Sequence, residues 1–405
     1  MRMRGPGSRR RDIQPDVSGS AAGTPGARGA APGTPSTREP LHGRSPRDRP
    51  ARPHPAAGDD GGPGEATGVV VTRTAHRYAE VEGIRIFYRE SLPYGDPAEA
   101  PVMVLLHGFP SASHQYRRLI DSLGARYRMI ALDYPGFGHS DVPTPASAGG
   151  TFRYSFDGLA DIVEEFLLQQ GLTRFVLYVF DWGAPVGFRV AGRHPDWIAG
   201  LVVQNANASA EGLSDAARDF TALRRTDPGA AQSVLQLLTI DATRSQYETG
   251  AADVEVIDPD GWTLDQHHLD RPGRTQPQLD LAFDYESNLE LYPHWQAWLR
   301  THTPPTLIVW GRHDPFFTVR GAEAYLRNVP GAELHLLDTG HFALEERLPE
   351  IAPLVAGFVD RTWPTAVARP EHPSGRPRLR RAARGHDDGS PSSFRARRWY
   401  ARRSR

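Results

Sequence analysis

The chain has 405 residues, with 47 basic against 48 acidic side chains, no lysine and no cysteine. The missing cysteine excludes a disulfide framework, a thiol nucleophile, a Cys-ligated zinc site and an iron–sulfur centre. The near-neutral total is unevenly spread: residues 1–74 carry twelve Arg against seven acids and residues 364–405 twelve Arg against three, leaving residues 75–363 at a formal net charge of −15.

Residues 1–68 contain 11 Pro, 13 Gly and 11 Arg, and no aromatic residue precedes Tyr78. Such a stretch buries too little apolar surface to offset its ordering entropy, so 1–74 and 364–405 read as disordered, dispensable tails. They lack a nucleic-acid module or an amphipathic stripe, so neither nucleic acid nor membrane is expected as a partner. Arg9, Arg10 and Arg11 are followed by no apolar signal stretch, and apolar runs such as Phe175 to Phe180 are far below the ~20 residues of a membrane span. The expectation is a cytoplasmic protein, monomer or homodimer.

Between the tails, strands are expected in chain order at Tyr78 to Glu82 and Ile84 to Glu90, an antiparallel pair around Gly83, then at Val102 to Leu106 and Arg128 to Leu132. Leu159, Ile162, Val163, Phe166 and Leu167 follow at helical spacing, with Gly171 where a C-cap belongs. Further apolar runs come at Phe175 to Phe180, Leu201 to Val203, Leu307 to Trp310 and Leu334 to Leu337. Strands alternating with helices imply an α/β fold with a mostly parallel sheet covered on both faces. Ligands in such sheets sit at the carboxyl ends of the strands.

The strand ends carry the chemistry. His107-Gly108-Phe109-Pro110 follows Leu106, Asp181-Trp182-Gly183 follows Phe180, Asp314-Pro315 follows the run ending at Trp310, and His341 follows the run ending at Leu337. Each has a bland reading: Asp-Trp-Gly as a surface turn, Asp-Pro as a loop start, a lone His as a core residue. Together, in the order nucleophile, acid, histidine, they match the arrangement of an α/β-hydrolase triad.

Residues 76–363 therefore resemble an α/β-hydrolase of the epoxide hydrolase and haloalkane dehalogenase branch, which places Asp at the nucleophile elbow, often as Asp-Trp-Gly. One departure is Val179, where the branch usually has a small residue two positions before the nucleophile. The resemblance implies an α/β-hydrolase core over 75–207 and 304–363, with a mainly helical cap over 208–303 inserted between the sixth and seventh strands. It also implies roles: Asp181 as nucleophile, His341 as general base, Asp314 orienting the histidine, the Phe109 and Trp182 N–H groups as oxyanion hole, and His107, Phe109 and Trp182 as substrate contacts. No metal or organic cofactor is needed.

A carboxylate is already ionised at neutral pH and suits displacement at a saturated carbon, giving an ester that His341 hydrolyses by activating water. Asp284-Tyr285-Glu286-Ser287-Asn288 resembles the cap motif whose tyrosine protonates an opening epoxide, so Tyr285 is the first choice for that acid and Tyr247 the second. A halide leaving group would instead need a second N–H donor, which Phe109 lacks as a side chain and which Trp262, Trp295 or Trp298 of the cap would have to supply. No arginine stands beside the nucleophile to hold an anionic substrate. The expected reaction is hydrolysis of a small, neutral, apolar epoxide to a vicinal diol, with haloalkane dehalogenation as the alternative and a non-catalytic ligand-binding protein as a third reading.

Overall fold

The computed structural model describes residues 71–96 and 98–363, so the readings for the two tails fall outside the described residues, apart from 71–74. Eight strands form one sheet: β1 (Arg73–Val81), β2 (Ile84–Leu92), β3 (Val102–Leu106), β4 (Arg128–Leu132), β5 (Phe175–Phe180), β6 (Ile198–Gln204), β7 (Thr306–Gly311) and β8 (Glu333–Leu337). Their spatial order is β1-β2-β4-β3-β5-β6-β7-β8. The β1–β2 and β2–β4 pairs are antiparallel and all the others parallel. Strand β1 takes in Arg73 and Thr74, which composition assigned to the tail, because it pairs with β2 in unbroken register from Arg73↔Leu92 to Val81↔Ile84. Backbone pairing, not an apolar run, sets its start.

Residues of β5 are buried on both faces: Phe175, Leu177 and Val179 belong to one core cluster, Val176, Tyr178 and Phe180 to the other. That is the period-two consequence of a strand sandwiched between layers. The helices are α1 (Arg117–Leu123), α2 (Phe156–Gln169), α3 (Gly183–Arg193), α4 (Asp215–Ala222), α5 (Ala230–Gln236), α6 (Ile240–Glu248), α7 (Pro259–Leu269), α8 (Thr275–Asp284), α9 (Glu286–His302), α10 (Val319–Asn328) and α11 (Ala343–Thr362). The first core cluster draws on α2, α3 and α10, the second on α1 and α11. Among the described residues, no helix is long and apolar enough to cross a membrane.

Helix α2 shows how local sequence sets its limits. Ser155 accepts a hydrogen bond from the Gly158 N–H at its start. At its end Gly171 takes φ 69°, and the Leu172 N–H reaches Leu167 O at 2.8 Å while the Gly171 N–H reaches Leu168 O at 3.1 Å. This is a Schellman closure, which a residue with a Cβ adopts only under strain. Helices α4 to α9 all lie between β6 and β7, an insertion that leaves the sheet register intact. The chain reverses direction across the sheet between β3 and β5, opening a crevice at their carboxyl ends.

Candidate active site

Asp181 sits between β5 and α3 with φ 46°, a left-handed conformation that costs on the order of 1–2 kcal/mol for a non-glycine residue. The turn pushes its carboxylate out of the sheet and into the crevice. Three glycines make room for it. A Cβ on Gly183 would lie 2.1 Å from Leu106 O, and one on Gly108 would lie 2.4 Å from both Cβ and Oδ1 of Asp181. Val179 fits without crowding the elbow because the small residue is on α3 instead: a Cβ on Gly187 would stand 2.7 Å from Val179 Cγ1.

The Phe109 N–H donates to Asp181 Oδ1 at 2.8 Å. Burial raises the Asp181 pKa to about 6, and His341 together with the Trp182 and Phe109 N–H groups pulls in the opposite direction. The two N–H groups therefore point at the carboxyl, where negative charge either rests or develops.

His341 follows β8 and is buried against Phe180, with ring centroids 4.7 Å apart. Its Nδ1 lies 2.7 Å from Asp314 Oδ2 and its Nε2 lies 3.8 Å from Asp181 Oδ2. A carboxylate only accepts, so Nδ1 donates its proton to Asp314 and Nε2 is the nitrogen that faces Asp181. Burial alone would lower the His341 pKa, but Asp314 and then Asp181 reverse this and hold it above the ordinary histidine value. Asp314 is itself fixed: Oδ1 accepts from the Phe316 and Phe317 N–H groups at 2.7 and 3.0 Å.

Asn205, at the end of β6, completes the arrangement. Its Nδ2 donates to Asp314 Oδ2 at 2.8 Å, its Oδ1 accepts from the Gly311 N–H at 2.9 Å, and its backbone carbonyl accepts from the Asp181 N–H at 3.3 Å. Its position directly after a buried strand was the available signal.

A cavity of about 290 Å³ opens over these groups, lined by Phe109, Asp181, Trp182, Phe316, Phe317 and His341 from the core and by residues of α4, α5, α6 and α8. Tyr285 lines it, buried, with its hydroxyl 3.5 Å from that of Tyr292. Burial and the neighbouring Tyr292 hold its phenol well above the usual value, so it stays protonated at neutral pH.

Two of the expected site residues lie elsewhere. Tyr247 is outside the cavity lining: its hydroxyl donates to Asp265 Oδ2 and its ring stacks on Phe342 at 3.9 Å. His107 is fully buried behind the loop and does not line the cavity. Its Nδ1 meets Gly108 O at 3.1 Å, its Nε2 accepts from the Tyr134 N–H at 3.3 Å, and burial lowers its pKa to about 4. It is a neutral brace between two loops, with its ring 4.2 Å from that of Tyr134. The cap tryptophans are also absent from the lining: Trp295 and Trp298 pack on Phe188, and Trp262 packs on Tyr247.

Fold and site define a hydrolase, and comparison with known proteins agrees. Residues 101–348 match the family described as the alpha/beta hydrolase fold, and the chain belongs to that family. It is 38% identical over 282 residues to an uncharacterized hydrolase of Saccharomyces cerevisiae, covering 68% of this chain and 94% of that one. It is 31% identical over 263 residues to a haloalkane dehalogenase of Mycobacterium marinum, covering 63% of this chain and 84% of the relative. To epoxide hydrolase 2 of Caenorhabditis elegans it is 26% identical over 258 residues, covering 61% of this chain and 69% of the relative. The protein is an α/β-hydrolase of the branch that holds epoxide hydrolases and haloalkane dehalogenases.

Proposed function

We propose that this hydrolase opens small, neutral, largely apolar epoxides to vicinal diols through a covalent ester on Asp181. One observation carries the choice: the protonated phenol of Tyr285 lines the same cavity as Asp181 and His341, whereas the cap tryptophans that a halide would need do not.

In the first step an Asp181 carboxylate oxygen attacks a ring carbon. The carbon–oxygen bond of the ring breaks, its electron pair goes to the ring oxygen, and that oxygen takes the Tyr285 proton. In the second step His341 Nε2 takes a proton from water as the water attacks the Asp181 carbonyl carbon. The Phe109 and Trp182 N–H groups hold the tetrahedral oxyanion. Collapse expels the product oxygen, which receives the proton from His341. The proton left on the regenerated Asp181 carboxyl returns to Tyr285. Asp314 keeps the imidazole in the required tautomer and stabilises its cation. Net, one water and one epoxide give one diol.

Haloalkane dehalogenation is the second reading, favoured by the Mycobacterium marinum relative and by the Trp182 side chain in the cavity wall. Parallel assays of aryl and alkyl epoxides against haloalkanes, reading diol and halide release, separate the two. Diol formation that collapses in Tyr285→Phe supports the proposal; halide release without diol reverses it. With a substrate that the wild type turns over, His341→Gln accumulates an adduct on the peptide containing Asp181, and mass spectra without that adduct rule out the ester.

A further inference from the structure

Away from the cavity lining, a second cluster of polar side chains is left unused by the proposed reaction. Asp265, on α7 of the cap, is 1% exposed. Its Oδ1 accepts from His114 Nε2 at 2.5 Å, across 151 positions of chain, and its Oδ2 accepts from the Tyr247 hydroxyl. Ser111 Oγ lies 3.3 Å from the same His114 nitrogen. All four side chains are buried, and none of them lines the cavity. The set is not a second triad. A carboxylate only accepts, so Nε2 carries the proton that bonds Asp265, and Ser111 faces that same nitrogen and not the opposite one.

The cluster reaches both loops of the candidate site. The Ser111 N–H closes on Gly108 O at 3.0 Å, and the turn so formed contains Phe109, whose N–H bonds Asp181 Oδ1. On the other side, Tyr247 stacks on Phe342, the residue after His341. One cap carboxylate therefore meets, through one partner each, the loop that carries the Phe109 donor and the loop that carries the histidine. A carboxylate and an imidazole buried this deeply add little net stability, because desolvation offsets most of their attraction, and apolar side chains of similar volume would seat the cap as well. Apolar contacts have no direction, whereas a charge-assisted hydrogen bond fixes distance and angle. Direction matters here, since an oxyanion donor works only over a range of about 2.7–3.1 Å.

We propose that Asp265 and His114 form a clasp between cap and core that holds the turn ending at Ser111 in place and so keeps the Phe109 N–H on the Asp181 carboxyl. Both are positioning residues, which act through Ser111 and Phe109 and touch no substrate. Their part in turnover rests on the reaction proposed above, whereas their effect on the Asp181 carboxyl does not.

The test compares His114→Leu, which removes the imidazole, with His114→Gln, which keeps an N–H donor at similar reach. If the Leu variant fails to fold because the Asp265 carboxylate is stranded, His114→Leu combined with Asp265→Leu removes both partners. The readout is the ionisation of Asp181, followed by carbon-13 NMR on the full chain labelled at aspartate, its signal assigned by loss in Asp181→Asn. The Phe109 N–H bond favours the carboxylate and lowers the Asp181 pKa in the wild type. In the Leu or the double variant Asp181 therefore titrates at a pH higher by about 0.5 or more, and in His114→Gln it titrates with the wild type. The kcat/KM for epoxides falls by about tenfold in the Leu or double variant and is restored in His114→Gln. An Asp181 titration unchanged in a folded Leu or double variant overturns the clasp, whatever happens to stability. A shift that His114→Gln does not reverse overturns the assignment to the His114 N–H. If the wild type turns over no epoxide, the proposed reaction fails, and the Asp181 titration still decides the clasp.

Discussion

Asn205 Nδ2 donates to the same carboxylate oxygen of Asp314, at 2.8 Å, that lies 2.7 Å from His341 Nδ1. Asn205 also accepts from the Asp181 N–H through its own carbonyl and from the Gly311 N–H through its side chain. One residue at the end of β6 therefore links the ends of β5 and β7, and through Asp314 the imidazole that follows β8. It does so at φ 40°, a conformation asparagine tolerates better than most residues.

Replacing Asn205 by Ala removes these side-chain bonds and strands buried acceptor and donor groups. The expected loss of stability is about 1–3 kcal/mol, and turnover falls by up to about a hundredfold as the imidazole loses its fixed orientation. Urea unfolding and steady-state kinetics on the same preparation check both. Unchanged kcat in a destabilised variant would reduce Asn205 to a purely structural role.

In the proposed mechanism Asp181 must be ionised to attack, and its pKa is raised to about 6 by burial. The prediction is an acid limb in kcat/KM near pH 6, well above that of an ordinary carboxylate, for the free enzyme. A pH profile flat down to pH 4.5 would be incompatible with the buried carboxylate acting as nucleophile.

The same shift has a consequence for stability. The folded-state pKa of about 6 lies above the 3.8 of an ordinary aspartate, so the protonated carboxyl's contribution is present below about pH 4 and lost as pH rises through 6. Asp181→Asn, which cannot ionise, should therefore be more stable than the wild type by ~2–3 kcal/mol at pH 8 and by little at pH 4. Thermal or denaturant unfolding at the two pH values measures the difference. An excess stability of the variant over the wild type that is no larger at pH 8 than at pH 4 would contradict the sign.

Gly108→Ala tests the close packing against Asp181. Its added Cβ would come within 2.4 Å of Asp181 Oδ1, so either the carboxylate or the loop bearing the Phe109 N–H has to move. A loss of at least about a hundredfold in kcat/KM with the circular dichroism spectrum retained is expected, in keeping with the cost of misplacing a reacting group by an ångström.

Among the described residues no arginine lines the cavity, and a carboxylate, Asp181, is part of its wall. Haloacids bearing a carboxylate next to the reacting carbon should accordingly give no halide release above background, at low and at high salt. Robust release from such an acid would mean that a cation reaches the site from outside the cavity wall.

The sequence alone located the strands of the parallel core and singled out Asp181, Asp314 and His341, which the structure brings together, because those signals are local. A strand buried on both faces must be a continuous apolar run, and catalytic side chains in this kind of sheet must follow such runs directly. The motif around Tyr285 was also legible, through its resemblance to a known cap. What the sequence left open depended on which side chains meet across long separations. Asn205 and Asp314 are 109 positions apart, and nothing in either neighbourhood announces their bond. Tyr247 and Tyr285 were both cap tyrosines, yet α6 turns Tyr247 toward Asp265 while the end of α8 presents Tyr285 to the cavity. His107 looked like part of the oxyanion loop's working face, but the turn that aims the Phe109 N–H at Asp181 leaves the His107 ring packed on Tyr134. Asp265 gave no sequence signal at all. The direction of a side chain on a short helix is set by the helices and sheet packed against it, and the periodicity of its own residues carries too little information to fix that choice.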